Sequence, residues 1–244
     1  MNPRCLSLLP LAASVVLFAA CTNQTSSTND STPSVDTDDY VLLLDDDSDP
    51  DQILGKAGAY ALTARGHAAP LAVLDVPPGY SNFGQFAVWP QADEDDRSDD
   101  TFSTVEYWTV HGVYEDPCRW EGAAPEIGAT VNDLVEAVSE QRYTAVTAGP
   151  EPVTLDGYGG MRLTVRVPAD LDASRCTEGR YMFWNGSPGD AHHQAPLGTT
   201  EVWWILDVDR QRVVLGTAAT EGVSESDVDE LTAMVESVRF VEPQ

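Results

Sequence analysis

Residues 202–218 read VWWILDVDRQRVVLGTA, two runs dense in Val, Ile, Leu and Trp on either side of the polar residues 209–211. β-Branched and aromatic side chains suit a pleated surface, and so short a gap leaves room only for a tight reversal, so the stretch predicts an antiparallel hairpin. The same signature recurs along the chain. YVLLL, AYALTA, LAVLDV, QFAVW, VEYWTVHGVY, RLTVRV and RYMFW are short, strand-like and separated by Gly, Pro, Asp and Asn. Their neighbours are expected to pair antiparallel as well.

Two segments have helical spacing instead. In GATVNDLVEAVSEQ, residues 128–141, Val131, Leu134, Val135 and Val138 fall on one stripe, and Thr130 with Asp133 has capping-box spacing. In SESDVDELTAMVESVRF, residues 224–240, Val228, Leu231, Val235 and Val238 form a second stripe, opened by Ser224 and Asp227 with acids that suit the helix dipole. One stripe covers one face of a sheet. The expected fold is therefore α+β: an antiparallel β-sheet with two amphipathic helices packed on it, in one domain spanning residues 40–244, with 40–90 a strand-rich subregion.

The first forty residues predict an address. Arg4 precedes an uncharged run from Leu6 to Ala20, too short to span a bilayer and interrupted by Pro10, which fits a secretory signal in residues 1–20. Ala19 and Ala20 stand before Cys21, and FAAC resembles the bacterial lipobox, with Phe18 where Leu is usual. The resemblance implies a diacylglycerol thioether on Cys21; an ordinary secretory signal with a free Cys21 is the alternative. Two or more acyl chains make a stable anchor. Residues 21–39 then form a flexible Ser/Thr/Asn/Asp tether, too poor in apolar side chains to fold.

Charge excludes some partners. Forty acidic and 13 basic side chains, a formal net charge of -27, give no electrostatic reason to approach nucleic acid or anionic headgroups. A membrane contact is expected through the lipid anchor alone. Asp45, Asp47 and Asp49 begin like a calcium loop, but Pro50 and Lys56 stand where Gly and Glu are required, so solvated acidic loops are the better reading. Cys118 and Cys176 are left once Cys5 leaves with the signal and Cys21 carries lipid; in an exported domain they are expected to pair as a disulfide. A metal site joining them to His192 and His193 lacks ligand spacing, and neither metal nor cofactor is expected.

The succession LAVLDVPPGY, YWTVHGVYEDPCRWEG, GATVNDLVEAV, PVTLDGYGGMRLTVRVPADLD, VWWILDVD and ESDVDELTAMVESVRF resembles a group of uncharacterised actinobacterial exported proteins. DVPPGY, the mid-chain helix, the Gly-rich hairpin and the closing ESVRF are also similar to the PsbP-like fold, an antiparallel sheet with helices on its faces. These likenesses imply architecture and address and hand over no active-site residues.

No nucleophile elbow, S-x-x-K, H-E-x-x-H or phosphate-binding glycine loop occurs, so no catalytic residue is assigned. His111 lies in a strand pattern, and His192 and His193 in a stretch that reads as a polar loop. Glu106, Glu201 and Asp207 alternate with apolar neighbours as solvent-facing residues should. Trp108, Trp120, Trp184, Trp203 and Trp204, with Tyr107, Tyr181 and Phe183, are core or ligand groove; the adjacent pair Trp203 and Trp204 must point to opposite faces. Trp108, Trp184, Trp203 and His111 are the candidate ligand contacts. The expected role is a non-enzymatic binding or accessory module on the outer face of the cytoplasmic membrane. The alternative is a hydrolase-like envelope enzyme, which a concave pocket that gathers His111 or a buried carboxylate with oriented partners would favour.

Overall fold

Strand spacing dominates the chain, and the computed structural model, which describes residues 39–43, 53–91, 101–120, 124–187 and 190–243, is built mainly of strands. β1 (Val41–Leu42), β2 (Ile53–Leu54), β3 (Gly58–Leu62), β4 (Leu71–Val76), β5 (Tyr80–Phe83), β6 (Ala87–Pro90), β7 (Ser103–Thr109) and β8 (Gly112–Val113) precede helix α1 (Val131–Ser139). β9 (Ala145–Leu155), β10 (Tyr158–Arg166), β11 (Tyr181–Ser187), β12 (Asp190–Ala195), β13 (Thr200–Val208) and β14 (Gln211–Ala219) follow. Helix α2 (Glu225–Glu236) and β15 (Arg239–Val241) come last. The signal, Cys21, the tether up to residue 38, the calcium-like Asp45, Asp47 and Asp49, and the acidic run at 93–100 lie outside the described residues.

The strands make three sheets. A four-stranded sheet runs β1-β3-β4-β15, an eight-stranded sheet β2-β5-β6-β7-β14-β13-β10-β9, and a three-stranded sheet β12-β11-β8. All neighbours in the eight-stranded sheet are antiparallel; β1 and β3 are parallel. Residues 41–90 divide their strands between the first two sheets. The quoted hairpin lies in the eight-stranded sheet as β13 and β14, with Val208 opposite Gln211. Its two turn residues, Asp209 and Arg210, have φ of 51° and 68°, the positive values a type I′ reversal demands.

The α+β expectation is corrected: among the described residues the protein is mainly β, in three sheets, with two short α-helices. The expected helices exist. Thr130 and Asp133 close the capping box of α1, which buries Leu134 and Val138, and Ser224 caps α2, which buries Leu231, Met234 and Val235. They are too small for the task assigned to them. Nine and twelve residues make helices about 14 and 18 Å long, whereas eight strands span about 34 Å.

Other strands supply the missing cover. One core lies between one face of the eight-stranded sheet, the four-stranded sheet and α2, and includes Leu74, Tyr107, Trp204, Leu215, Leu231 and Val235. The second lies between the opposite face, the three-stranded sheet and α1, and includes Trp108, Leu134, Phe183, Trp184, Trp203 and Val214. Cys118 and Cys176, both buried in this second core, are joined by a disulfide. No helix among the described residues is long and apolar enough to cross a membrane.

Candidate functional site

Cross-strand partners share a face of a sheet, so register alone assembles the site. Glu106 on β7 stands opposite Gly216 on β14, and Gly216 opposite Trp203 on β13; one pair along, Thr104 stands opposite Ala218 and Ala218 opposite Glu201. The middle strand thus presents only Gly216 and Ala218 between two larger neighbours. Their small size leaves a hollow beneath the three-stranded sheet. Into it β12 places His193, and β11 places Trp184.

Two short motifs frame the hollow. Glu106-Tyr107-Trp108 and Glu201-Val202-Trp203 occupy the strands on either side of β14, and residues two apart on a strand share a face. Within each motif the indole bonds its own carboxylate: Trp108 Nε1 donates to Glu106 Oε2 at 2.7 Å, and Trp203 Nε1 to Glu201 Oε2 at 2.6 Å. His193 bridges the two acids. Its Nε2 lies 2.9 Å from Glu201 Oε2, and its Nδ1 lies 3.2 Å from Glu106 Oε2, a close ion-pair contact with poor hydrogen-bond geometry.

The cluster is deeply enclosed. The His193 side chain is 4% exposed, that of Glu201 2% and that of Glu106 14%. Trp184 stacks on the imidazole at 4.4 Å between ring centroids, and Phe183 is near-parallel to it at 5.4 Å. Burial disfavours the imidazolium, but the flanking carboxylates outweigh it and push the His193 pKa up to about 10. Burial likewise acts against an ionised Glu106, and His193, Trp108 and Arg65 together overcome it, holding its pKa below the usual carboxylate value. With its pKa raised, His193 carries a proton on each ring nitrogen, both facing carboxylates, which leaves no ring lone pair for a metal. No group of three or more potential metal ligands occurs among the described residues.

Glu106 and His193 also form part of the floor of a groove of about 490 Å³, within the range of small-molecule sites. Phe83, Phe86, Trp89, Phe102 and Trp108 contribute ring surface, and Arg65 and Arg180 contribute positive charge. The Arg65 guanidinium lies 4.5 Å from the Phe86 ring centre and 5.3 Å from that of Trp108, so apolar contacts hold its charge in place.

Of the four candidate ligand contacts, the fold brings Trp108, Trp184 and Trp203 together around His193. His111 is elsewhere, its ring edge-on to His67 at 5.8 Å, and it lines neither hollow nor groove. Trp204 faces the opposite core, and Trp120 packs against His192. Three readings are corrected. His192 and His193 lie on a strand and not in a loop, and Glu106 and Glu201 point into the second core and not to solvent. Both faces of the sheet are covered, so alternation there separates one core from another. Asp207 is exposed as read. Arg65 and Phe86 escaped notice; the repeated Glu-x-Trp was the signal that could have marked the acids.

No protein-family model matches the chain, and no curated protein matches it in sequence. The chain is similar to a solved structure of LpqN, described as involved in cell envelope biogenesis of Mycobacterium tuberculosis. That match has 9% identity and a TM-score of 0.37 and covers 75% of this chain and 90% of the other.

Proposed function

We propose that the protein is a non-enzymatic binding module, held by lipid on Cys21 at the outer face of the cytoplasmic membrane, whose aromatic groove takes an amphipathic anion. The observation that carries this reading is the pairing, in one groove, of ring surface from Phe83, Trp89 and Phe102 with the positioned cation of Arg65. An acyl or aromatic body gains from the rings, and a carboxylate or phosphate head gains from the guanidinium. In a chain of net charge -27, two arginines at one groove give local attraction for an anion.

A second reading, an envelope enzyme, draws on the buried carboxylates with oriented partners beneath the groove. Proton transfer is most effective when the acid or base titrates near the working pH. His193 is pushed well above neutrality and Glu106 below the usual carboxylate value, so these two groups hold their charges near neutral pH. Fixed charge suits recognition, and the binding reading is preferred.

Calorimetry with dodecyl phosphate, laurate and the neutral dodecyl maltoside tests the groove. The two anions are expected to bind at least tenfold more tightly than the neutral detergent, and Arg65→Ala to remove that margin while leaving the circular dichroism spectrum unchanged, because one charge-assisted contact contributes about 1.5–3 kcal/mol. Equal affinity for all three, or an unaltered margin in Arg65→Ala, refutes the anion site. The anchor is tested in a bacterial host. Cys21→Ala is expected in the medium, and its retention with membranes would remove the case for lipid.

A further inference from the structure

The hollow behind His193 is a separate space from the groove, lined by Glu106, Trp108, Trp184, His193, Glu201 and Trp203 over the small residues of β14. Its volume is about 10 Å³, roughly the space one water molecule needs. Three buried polar atoms on its lining residues lack a hydrogen-bond partner among the described residues: Trp184 Nε1, Glu201 Oε1 and His193 Nδ1. Trp184 and Glu201 are 1% and 2% exposed, so bulk solvent does not satisfy them. An orphaned buried donor and an orphaned buried carboxylate oxygen each carry a desolvation cost that a shared partner removes.

We propose that this hollow is a binding site for one water molecule, which accepts from Trp184 Nε1 and donates to Glu201 Oε1. The donor inventory selects the occupant. An indole N–H can only donate, so its partner must accept, which excludes ammonium and the alkali cations. A carboxylate oxygen can only accept, so the same occupant must donate, which excludes halide and other anions without a proton. Water does both, is small enough, and typically makes about three bonds in protein interiors, the number of orphaned atoms here. His193 Nδ1, badly aligned with Glu106, is the third orphaned atom and the second donor of the site. The water completes a polar chain from Trp184 through Glu201 and His193 to Glu106 at the groove floor.

Crystals of the wild-type protein diffracting to high resolution test the site without a mutation. A density peak is expected within about 3.2 Å of both Trp184 Nε1 and Glu201 Oε1, with no anomalous signal after a rubidium soak. A hollow with no peak, a peak that touches only one of the two atoms, or rubidium at the position overturns the proposal. In solution, oxygen-17 relaxation dispersion is expected to lose one long-lived water in Trp184→Phe, which removes the donor and keeps a ring. An unchanged number of long-lived waters in a folded variant also overturns it.

Discussion

Replacing His193 with alanine is expected to lower the melting temperature by on the order of 10 °C. The substitution leaves Glu106 and Glu201 buried without the cation that joins them. Removing one partner of a buried ionic cluster costs about 3–5 kcal/mol, and for a domain of this size each kcal/mol shifts the midpoint by about 2–4 °C. The loss is one of charge balance more than of volume. His193→Phe combined with Glu106→Gln and Glu201→Gln is therefore expected to recover much of the stability, since none of the three buried charges then remains. A shift of under about 2 °C in the single variant would show that the carboxylates are not held by the imidazole.

The same cluster sets a pH dependence with a definite sign. His193 holds its proton more tightly folded, at about 10, than at its ordinary 6.5. Its contribution is complete below pH 6.5 and is lost as pH rises toward 10, because over that interval the folded state binds more protons than the unfolded state. Glu106 is shifted downward from 4.5, so its contribution is complete above that value and is lost as the medium becomes more acid. These two groups place the greatest stability between pH 4.5 and 6.5. Thermal melts across pH are expected to show the gap between wild type and His193→Ala widest in that window and narrowing toward pH 10. A gap that widens on the alkaline side contradicts the assignment.

Local signals in the sequence were legible where local chemistry decides the outcome. The reversal at Asp209 and Arg210, the capping box at Thr130 and Asp133, and the buried stripe of Leu134 and Val138 each depend on residues within a few positions of one another. The layer count depends on long-range pairing, and there the reading failed. A helix stripe announces one buried face, but nothing local to β11 and β12 announces that they lie over β7, β13 and β14. The site inherits that failure. Glu106 and Glu201 alternate with apolar neighbours in the same way whether the face they share meets water or a second sheet, and only the covering sheet decides which. The tryptophans were legible as a group because their ring area demands burial somewhere, whereas the histidine they surround sits in AHHQAP, whose polarity reads as a loop.

Adjacent glycines on β10 offer a sharper test of the sheet. Gly160→Ala is expected to cost about 3 kcal/mol, while Gly159→Ala is expected to be neutral or slightly stabilising. Gly160 pairs with Leu206 on β13 and with Val153 on β9, in the interior of the eight-stranded sheet. A Cβ at 160 would collide with Ile205 O and come within 2.9 Å of both Ile205 C and Leu206 Cα. All three are backbone atoms of the neighbouring strand. They cannot rotate aside as a side chain can, so the methyl forces β10 away from β13, the strand that carries Glu201 and Trp203. At 159 a Cβ meets nothing within 4 Å, and the added methyl only restricts the unfolded chain. Urea denaturation of the two variants decides the matter. A low midpoint for Gly160→Ala with a near wild-type midpoint for Gly159→Ala supports the register of β10 on β13; equal midpoints would mean that the two strands pair differently, and with them the placement of Glu201 beneath His193 would fall.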